Sequence, residues 1–334
     1  KAGLLDLNIN QPMRCQAAQA FNYAMRDYSQ FIIVGMPNEG QNLDEVKSLI
    51  LAEIEKLKKG EFSDKLLPAI VNNMKLEFLQ SLDDNEKRAD AFVNTFVNGR
   101  DWQTEVQKFD RIAAMTKQQI VDFARHHFTD GYAIVYKKQG EDASQKKIDK
   151  PSITAIPTNR DMQSAFVKDI KDSKVEPIQP RFLDFKTDFT QTKTKRALPV
   201  YYIQNKQNQL FNLAYYFEMG EEANKWLPYA KNYFDYLGTD KMSAKQVQER
   251  FYQLACEYNI SVSKSSMVIS LRGLGDNMQE AMTLMESVIN HAKVDRDAYR
   301  KFVEQELKSR RDNKLSQKAN FRALQQYGEF GAYN

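Results

Sequence analysis

Residues 260–271, ISVSKSSMVISL, and residues 277–289, NMQEAMTLMESVI, decide the fold of this chain. In the first stretch apolar and polar residues alternate on both sides of Ser265-Ser266, which predicts two antiparallel strands joined by a tight turn. In the second stretch apolar residues recur at intervals of three and four, which predicts an amphipathic helix. A strand pair followed by a helix is typical of α+β architecture rather than of a parallel βαβ sheet.

The elements around these two stretches follow the same order. Alternation predicts strands, and capping pairs such as Asn42 with Glu45 predict helix starts. In the first half of the chain the predicted elements are strands over 17–25, 30–36 and 132–136, and helices that begin near Asn42, Ser63 and Thr116. In the second half they are strands over 200–204 and 209–219 around a turn at 205–208, and helices over 226–237, after Ser243 and from Asp295.

Between these halves, from Gly140 to about Leu198, the composition changes to polar residues with frequent proline. Such a stretch is typical of a long, largely irregular connector, which would be unusual inside one compact domain. We therefore expect two related α+β domains, each an antiparallel-rich sheet packed with helices, joined by this linker. The expected boundaries are residues 1–140, the linker 141–198, and residues 199–334.

The bulk composition excludes several classes of protein. Hydrophobic residues make up 42% of the chain, which is enough to build folded cores. The net charge of +4 arises from interleaved basic and acidic residues, whereas a nucleic-acid binder usually concentrates its basic residues on one face. The mean hydropathy of -0.63 and the lack of an apolar run near 18 residues predict no membrane span. The chain begins at Lys1 without an initiator methionine, so we expect a fragment of a longer protein.

The histidines do not form a metal-binding pattern. A helical zinc site of a peptidase needs two histidines four residues apart, so that both imidazoles leave one face of the helix. His126 and His127 are adjacent and point about 100° apart on a helix, so we expect one to face the core and the other solvent. His291 stands alone near a helix end, where a cation suits the helix dipole. The sequence therefore predicts no metal ligands and no catalytic residues in this chain.

Two other candidate motifs have structural explanations. Cys15 and Cys256 lie far apart and form no C-x-x-C, so they are expected to be small buried residues. Gly273-Leu274-Gly275 lacks the third glycine of a dinucleotide-binding motif and the Lys-Ser/Thr of a P-loop, so it predicts a tight strand-to-helix turn.

Several stretches together resemble the pitrilysin/insulinase family of zinc metallopeptidases. They are QNK at 204–206, YFEMG at 216–220, YLGTDKMS at 236–243 and RGLGDN at 272–277, with residues 74–82 and 132–137 similar to the end of the family's second domain. Each stretch is short, and their order and spacing carry the resemblance over nearly the whole chain. Members of the family are built from related α+β domains arranged as two halves joined by a linker.

The resemblance implies that this chain lacks the family's zinc site. In the first domain of the family an inverted H-x-x-E-H motif and a distal glutamate hold zinc. Where that motif would align, this chain has Tyr229, Asn232 and Tyr233, so that phenols replace both imidazoles and an amide replaces the general base. By resemblance, residues 1–140 belong to the second domain, 141–198 to the linker between the halves, and 199–334 to the non-catalytic third domain.

The resemblance also implies what the parent protein does. It would be a zinc-dependent metalloendopeptidase of the bacterial periplasm or cell envelope, with zinc in the parent and no cofactor in this fragment. Its partners would be the catalytic domain of the same chain and peptide substrates. The alternative is a pseudo-peptidase that serves as a protein-binding scaffold or partner subunit. A nucleic-acid-binding protein, the third class, would show affinity that falls steeply with salt.

Overall fold

The computed structural model describes residues 3–140, 144, 149–156 and 158–333. The expected start at Lys1, part of the predicted linker (141–143, 145–148 and Pro157) and Asn334 lie outside the described residues. The chain folds as two compact units, one of residues 1–134 with 205–334 and one of residues 135–204. The assignment of the first and last blocks to separate domains stays a prediction.

The fold is α+β, as predicted. The helices are α1 (Leu43–Lys59), α2 (Leu66–Ser81), α3 (Asn85–Val97), α4 (Trp102–Val106), α5 (Lys108–Ala113), α6 (Lys117–His127), α7 (Ala165–Asp172), α8 (Leu227–Tyr233), α9 (Ala244–Gln253), α10 (Met278–Asn290), α11 (Arg296–Lys314) and α12 (Gln317–Phe330). The strands are β1 (Ala17–Ala24), β2 (Ser29–Met36), β3 (Thr190–Lys193), β4 (Pro199–Tyr202), β5 (Leu210–Phe217), β6 (Cys256–Val262) and β7 (Met267–Leu274). All strand pairs are antiparallel. Among the described residues, no helix has the length and apolar character needed to cross a membrane.

Three helices begin at capping residues that the sequence predicts, whereas the helix predicted near Ser63 begins at Leu66 without a side-chain cap. The Asn42 side chain accepts a hydrogen bond from the Glu45 N–H at 2.8 Å, and Gly60 ends α1 in the left-handed conformation. Thr116 and Ser243 form complete capping boxes at the starts of α6 and α9. These contacts satisfy backbone N–H groups that would otherwise lack a partner at a helix start.

The strands of the first fold-deciding stretch, β6 and β7, belong to a three-stranded sheet in the order β5-β7-β6, with β7 at the centre and β6 at one edge. One face is apolar and packs on α9 and α10, where Leu271, Met285 and Val288 are fully buried. The opposite face is polar, with Glu257 on β6 paired to Arg272 on β7 at 3.7 Å. Gly273 lies so close to Ala255 that an added Cβ would be 2.6 Å from the Ala255 carbonyl oxygen, so only glycine fits the start of this strand-to-helix turn.

The first block has a smaller core. β1 and β2 pair only with each other among the described residues, and Gly35 lets α1 approach so closely that a Cβ there would collide with Val46 and Ile50. Before β1, Asp6–Asn10 forms a π-helical turn, which is not among the elements predicted from the sequence. Glu53 of α1 is buried and accepts hydrogen bonds from Asn8 and Lys56 at 2.6 and 2.7 Å, which holds this turn against the helix.

Two predicted strands are corrected by the structure. Residues 132–136 form no strand, because a strand needs a neighbour that faces its hydrogen-bonding groups and no described strand pairs with them. The sequence predicts that residues 200–204 pair with 209–219, but Pro199–Tyr202 pairs instead with Thr190–Lys193. The predicted turn at 205–208 does form through Asn205, whose side-chain oxygen accepts from the Gln207 and Asn208 N–H groups, but it joins two different sheets.

The unit of residues 135–204 has more order than an irregular linker. Ser164 caps α7 by accepting from the Val167 N–H at 3.2 Å. The hairpin of β3 and β4 carries Tyr201, whose ring lies 5.6 Å from the ring of Phe189 just before β3. Large apolar side chains along this unit, such as Ile178, remain exposed. One helix and one hairpin are therefore present in a stretch that the sequence predicts to be mostly irregular.

The burial of one face of the three-stranded sheet predicts how Leu271→Ala changes stability. Since Leu271 is fully buried at the centre of the sheet, the truncation should lower the free energy of unfolding by about 3 to 5 kcal/mol. Denaturant unfolding followed by circular dichroism measures this. The matched control is Leu324→Ala on α12, where the side chain is 66% exposed, and its effect should stay within about 0.5 kcal/mol. Equal effects of the two changes would contradict this description of the core.

Candidate functional site

The three positions singled out by the resemblance lie on α8, a short helix with Pro228 in its first turn. α8 packs beside the edge strand β6, and α11 lies against it. Tyr229 is half-buried, Asn232 is exposed and Tyr233 is buried. The three side chains therefore occupy different environments although they lie within one helical turn.

Tyr233 is part of an aromatic cluster. Its ring lies 5.3 Å from the ring of Phe302 and 5.6 Å from that of Tyr299, both on α11. Its hydroxyl donates a hydrogen bond to the Asp295 carbonyl oxygen at 3.0 Å. Burial and the Asp295 carboxylate raise the pKa of the Tyr233 phenol above its ordinary value, so the side chain stays neutral.

Tyr229 is bound to the other end of α11. Its hydroxyl accepts a hydrogen bond from the Arg310 guanidinium, which also lies over the ring at 5.5 Å from its centroid. Asp295 and Arg310 are 15 positions apart (310 − 295), which on a helix corresponds to about 22 Å. The two hydroxyls therefore point in diverging directions, and α11 provides a partner for each.

This arrangement does not fit a zinc ion. Zinc needs ligands that converge within about 2.0 to 2.3 Å of one point, whereas these phenols diverge and one has a raised pKa. Phenols bind metal ions as phenolates, and a raised pKa disfavours that form. Elsewhere among the described residues, no group of three or more His, Cys, Asp or Glu side chains is placed to hold a metal.

The histidines lie on the surface. His126 and His127 are both exposed at the end of α6, so the expectation that one faces the core is wrong. The two rings contact each other edge-on at 4.8 Å, and His127 also lies 4.2 Å from the Phe123 ring. Phe123 is exposed as well, so this end of α6 forms a surface aromatic cluster. His291 follows the last residue of α10, as predicted.

The cysteines are buried as predicted. Both are free, and burial raises the pKa of each thiol. Cys15 belongs to the core of the first block and Cys256 to that of the three-stranded sheet. Buried thiols with raised pKa values are poor nucleophiles.

Sequence reasoning missed a cleft next to the three positions. This β6 cleft, of about 460 Å³, lies between β6, the end of α8 and α11. Its polar lining includes Lys231, Asn232, Asp235 and Glu306. No signal in the sequence indicates it, because only the tertiary structure brings its walls together; Asn232 and Glu306, for example, are 74 positions apart (306 − 232).

A chain of side-chain hydrogen bonds forms one wall of the β6 cleft. The Tyr258 hydroxyl donates to the Asp235 carboxylate at 2.5 Å and accepts from the Gln248 amide at 2.6 Å. Burial, followed by the Asp235 carboxylate, raises the pKa of Tyr258 well above its ordinary value. The phenol is therefore a fixed donor that orients Asp235, and it is not available as a base.

Comparison with known proteins finds similarity to solved structures. No protein-family model matches the chain, and no curated protein does. The fold is similar to that of the periplasmic protease PqqL from Escherichia coli, with 11% identity over 99% of this chain and 38% of that chain and a TM-score of 0.33. It is also similar to a variant of the ferredoxin protease FusC in complex with Arabidopsis ferredoxin, with 9% identity over 99% and 40% and a TM-score of 0.41.

Both are proteases. The chain spans about two fifths of the length of the structures it matches.

The aromatic cluster predicts how two substitutions at position 233 differ. Tyr233→Phe keeps the ring and loses one hydrogen bond to a carbonyl that also accepts from the Tyr299 N–H, so it should cost about 1 kcal/mol of unfolding free energy. Tyr233→Ala removes the buried ring and should cost about 3 kcal/mol or more. Thermal and denaturant unfolding measure both values, and equal costs would show that the ring has no packing role.

The raised thiol pKa predicts an alkaline loss of stability. Burial raises the pKa of Cys256 from 9.0 to about 11. Because the folded state holds this proton more tightly than the unfolded state, the stabilisation is complete below about pH 9 and is lost as the pH rises towards about 11. Melting temperatures measured across this range should fall less steeply for Cys256→Ala than for the unmodified chain. Parallel curves would show that the thiol does not contribute.

Proposed function

We propose that this chain is a structural, non-catalytic part of a pitrilysin/insulinase-type zinc metallopeptidase that cleaves peptides. In the parent protein it forms part of the wall of the chamber that encloses substrate. The parent's zinc is held by another domain of the same chain. The parent acts in the periplasm or cell envelope of a bacterium.

The observation that carries this proposal is the environment of Tyr229, Asn232 and Tyr233, the positions that align with the zinc motif. α11 supplies a separate partner for each phenol, the Asp295 carbonyl at its start and the Arg310 guanidinium near its end, and Asn232 faces solvent. A catalytic arrangement needs two ligands and a base that converge on one ion and one water. Here the same positions hold helix α8 against α11, which is a packing role.

The family resemblance supports the rest of the proposal. The stretch at 204–206 precedes β5, 216–220 covers the end of β5, 236–243 lies between α8 and α9, and 272–277 covers the end of β7 and the turn after it. In particular, 236–243 contains the buried Thr239, whose side-chain oxygen accepts hydrogen bonds from the Lys241 and Met242 N–H groups. The motif residues therefore have structural roles within this fold.

Metal content and hydrolysis test the proposal. The purified chain, after dialysis against a weak chelator, should contain far less than one zinc per chain in elemental analysis. It should also show no chelator-sensitive release of product from a fluorogenic peptide library. One tightly held zinc per chain together with chelator-sensitive hydrolysis would contradict the proposed role.

Measurements on the parent protein distinguish the chamber-wall role from the scaffold role. A parent chain with an intact H-x-x-E-H upstream should hydrolyse peptides, and its His→Ala variants should lose zinc and activity together. A parent chain that folds, lacks zinc and shows no hydrolysis would instead be a pseudo-peptidase scaffold.

A further inference from the structure

The end of α6 presents two imidazoles side by side on the surface. His126 and His127 are the last two residues of this helix, and both are exposed. Adjacent side chains leave a helix about 100° apart, yet these two rings meet nearly at right angles (84°), with their centroids 4.8 Å apart. Imidazole is the commonest metal ligand in proteins. The pair is therefore a candidate metal site that is separate from the positions aligned with the zinc motif.

The separation of the two rings fits one shared ion. Two imidazoles that bind the same ion do so at metal–nitrogen distances of about 2.0 Å and at an angle of about 90° to 110° in tetragonal or tetrahedral geometry. The centre of each ring lies about 1.2 Å beyond its ligating nitrogen, so the ring centroids in such a complex are about 4.5 to 5.2 Å apart. The 4.8 Å between His126 and His127 falls inside this range.

The nitrogens of both rings are available to a ligand. With the described residues neither imidazole forms a hydrogen bond or an ion pair, and their contacts are ring contacts. Phe123 lies one turn before His127 on α6, and its ring is 4.2 Å from the imidazole. This contact holds the His127 ring in place through its carbon skeleton. A metal ion would therefore displace only water from the two imidazoles.

The local charges also favour a cation. α6 ends at His127, so the negative end of its helix dipole lies at the pair. Arg125, the cation next to the pair in the sequence, is held at the end of α1, where its Nε donates a hydrogen bond to the Lys58 carbonyl oxygen at 2.8 Å. Within the described ranges no third His, Cys, Asp or Glu side chain joins the two histidines, so water would fill the other coordination positions.

We propose that His126 and His127 together bind one divalent transition-metal ion, copper(II) in preference to nickel(II) or zinc(II). Two imidazole nitrogens with oxygen ligands suit a tetragonal ion, and copper(II) binds such a set most tightly among the first-row divalent ions. With only two protein ligands the site is labile and open to chelators. It goes beyond the proposed function, since a non-catalytic chamber wall has no need of a metal ion.

Copper titration of histidine variants tests the shared site. Copper(II) is titrated into the whole chain by calorimetry at about pH 7.5, in a glycine buffer that competes for weak sites, and nitrogen coordination is followed by electron paramagnetic resonance. His126→Ala and His127→Ala should each weaken binding about tenfold, because either change leaves a single imidazole. The chain with both substitutions measures copper bound elsewhere, including at the terminal amine. These exposed positions lie outside the core, so the variants should keep the fold.

The matched control is His291→Ala, which removes a lone exposed imidazole just after the last residue of α10. Its binding should stay within about twofold of the unmodified chain. Equal losses in His291→Ala and His126→Ala, or no binding above that of the doubly substituted chain at about 100 μM free copper(II), overturn the proposal. Tighter binding of zinc(II) than of copper(II) overturns the stated preference.

The outcomes for this site and for the proposed function are distinguishable. A chain that contains no zinc, hydrolyses no peptide and binds no copper(II) at the pair refutes this site alone. A zinc-bound, hydrolytic chain refutes the proposed function alone.

Discussion

The burial of a single sheet face is the constraint on which the rest of the last block depends. β7 carries Ile269, Leu271 and Gly273 on that face, and α9 and α10 cover it with side chains that leave almost no exposed surface. Since the other face is polar, both helices must lie on the same side. α8 then packs at the flank, beside β6, and the strand keeps one free edge. The β6 cleft is a consequence of this one-sided packing.

The sequence predicts what local physics determines. Helix starts at Asn42, Thr116 and Ser243 depend on hydrogen bonds within four residues, so their patterns are complete in the sequence. The β6-β7 hairpin is equally local, since Ser263 and Ser266 close its turn by mutual hydrogen bonds. The strand that pairs with Pro199–Tyr202 cannot be predicted from local hydrogen bonds in this way. Strand-like neighbours lie on each side of it, and the choice between them depends on interactions that composition and alternation do not describe.

At the candidate site, too, the sequence predicts local features and misses those that depend on tertiary packing. That residues 229, 232 and 233 lack imidazole and carboxylate groups is visible in the sequence, and the resemblance gives it meaning. That the two phenols bind opposite ends of α11 is not visible, because Asp295 and Arg310 are more than 60 residues away in the chain (295 − 233). Glu306 escapes sequence reasoning for the same reason. On α11 it is one of many charged residues, and only the packing of α11 against α8 and β6 places it at the cleft.

The environment of Tyr233 shows why packing and metal binding exclude each other at this position. A metal ion lowers the pKa of its ligands, because its charge stabilises their deprotonated forms. Around Tyr233 the surroundings act in the opposite direction, since desolvation and the Asp295 carboxylate both favour the neutral phenol. The ring contacts of Tyr233 with Tyr299 and Phe302 also require that α11 lie directly against α8. The aromatic cluster therefore stabilises the contact between α8 and α11 and keeps the Tyr233 phenol in its neutral form.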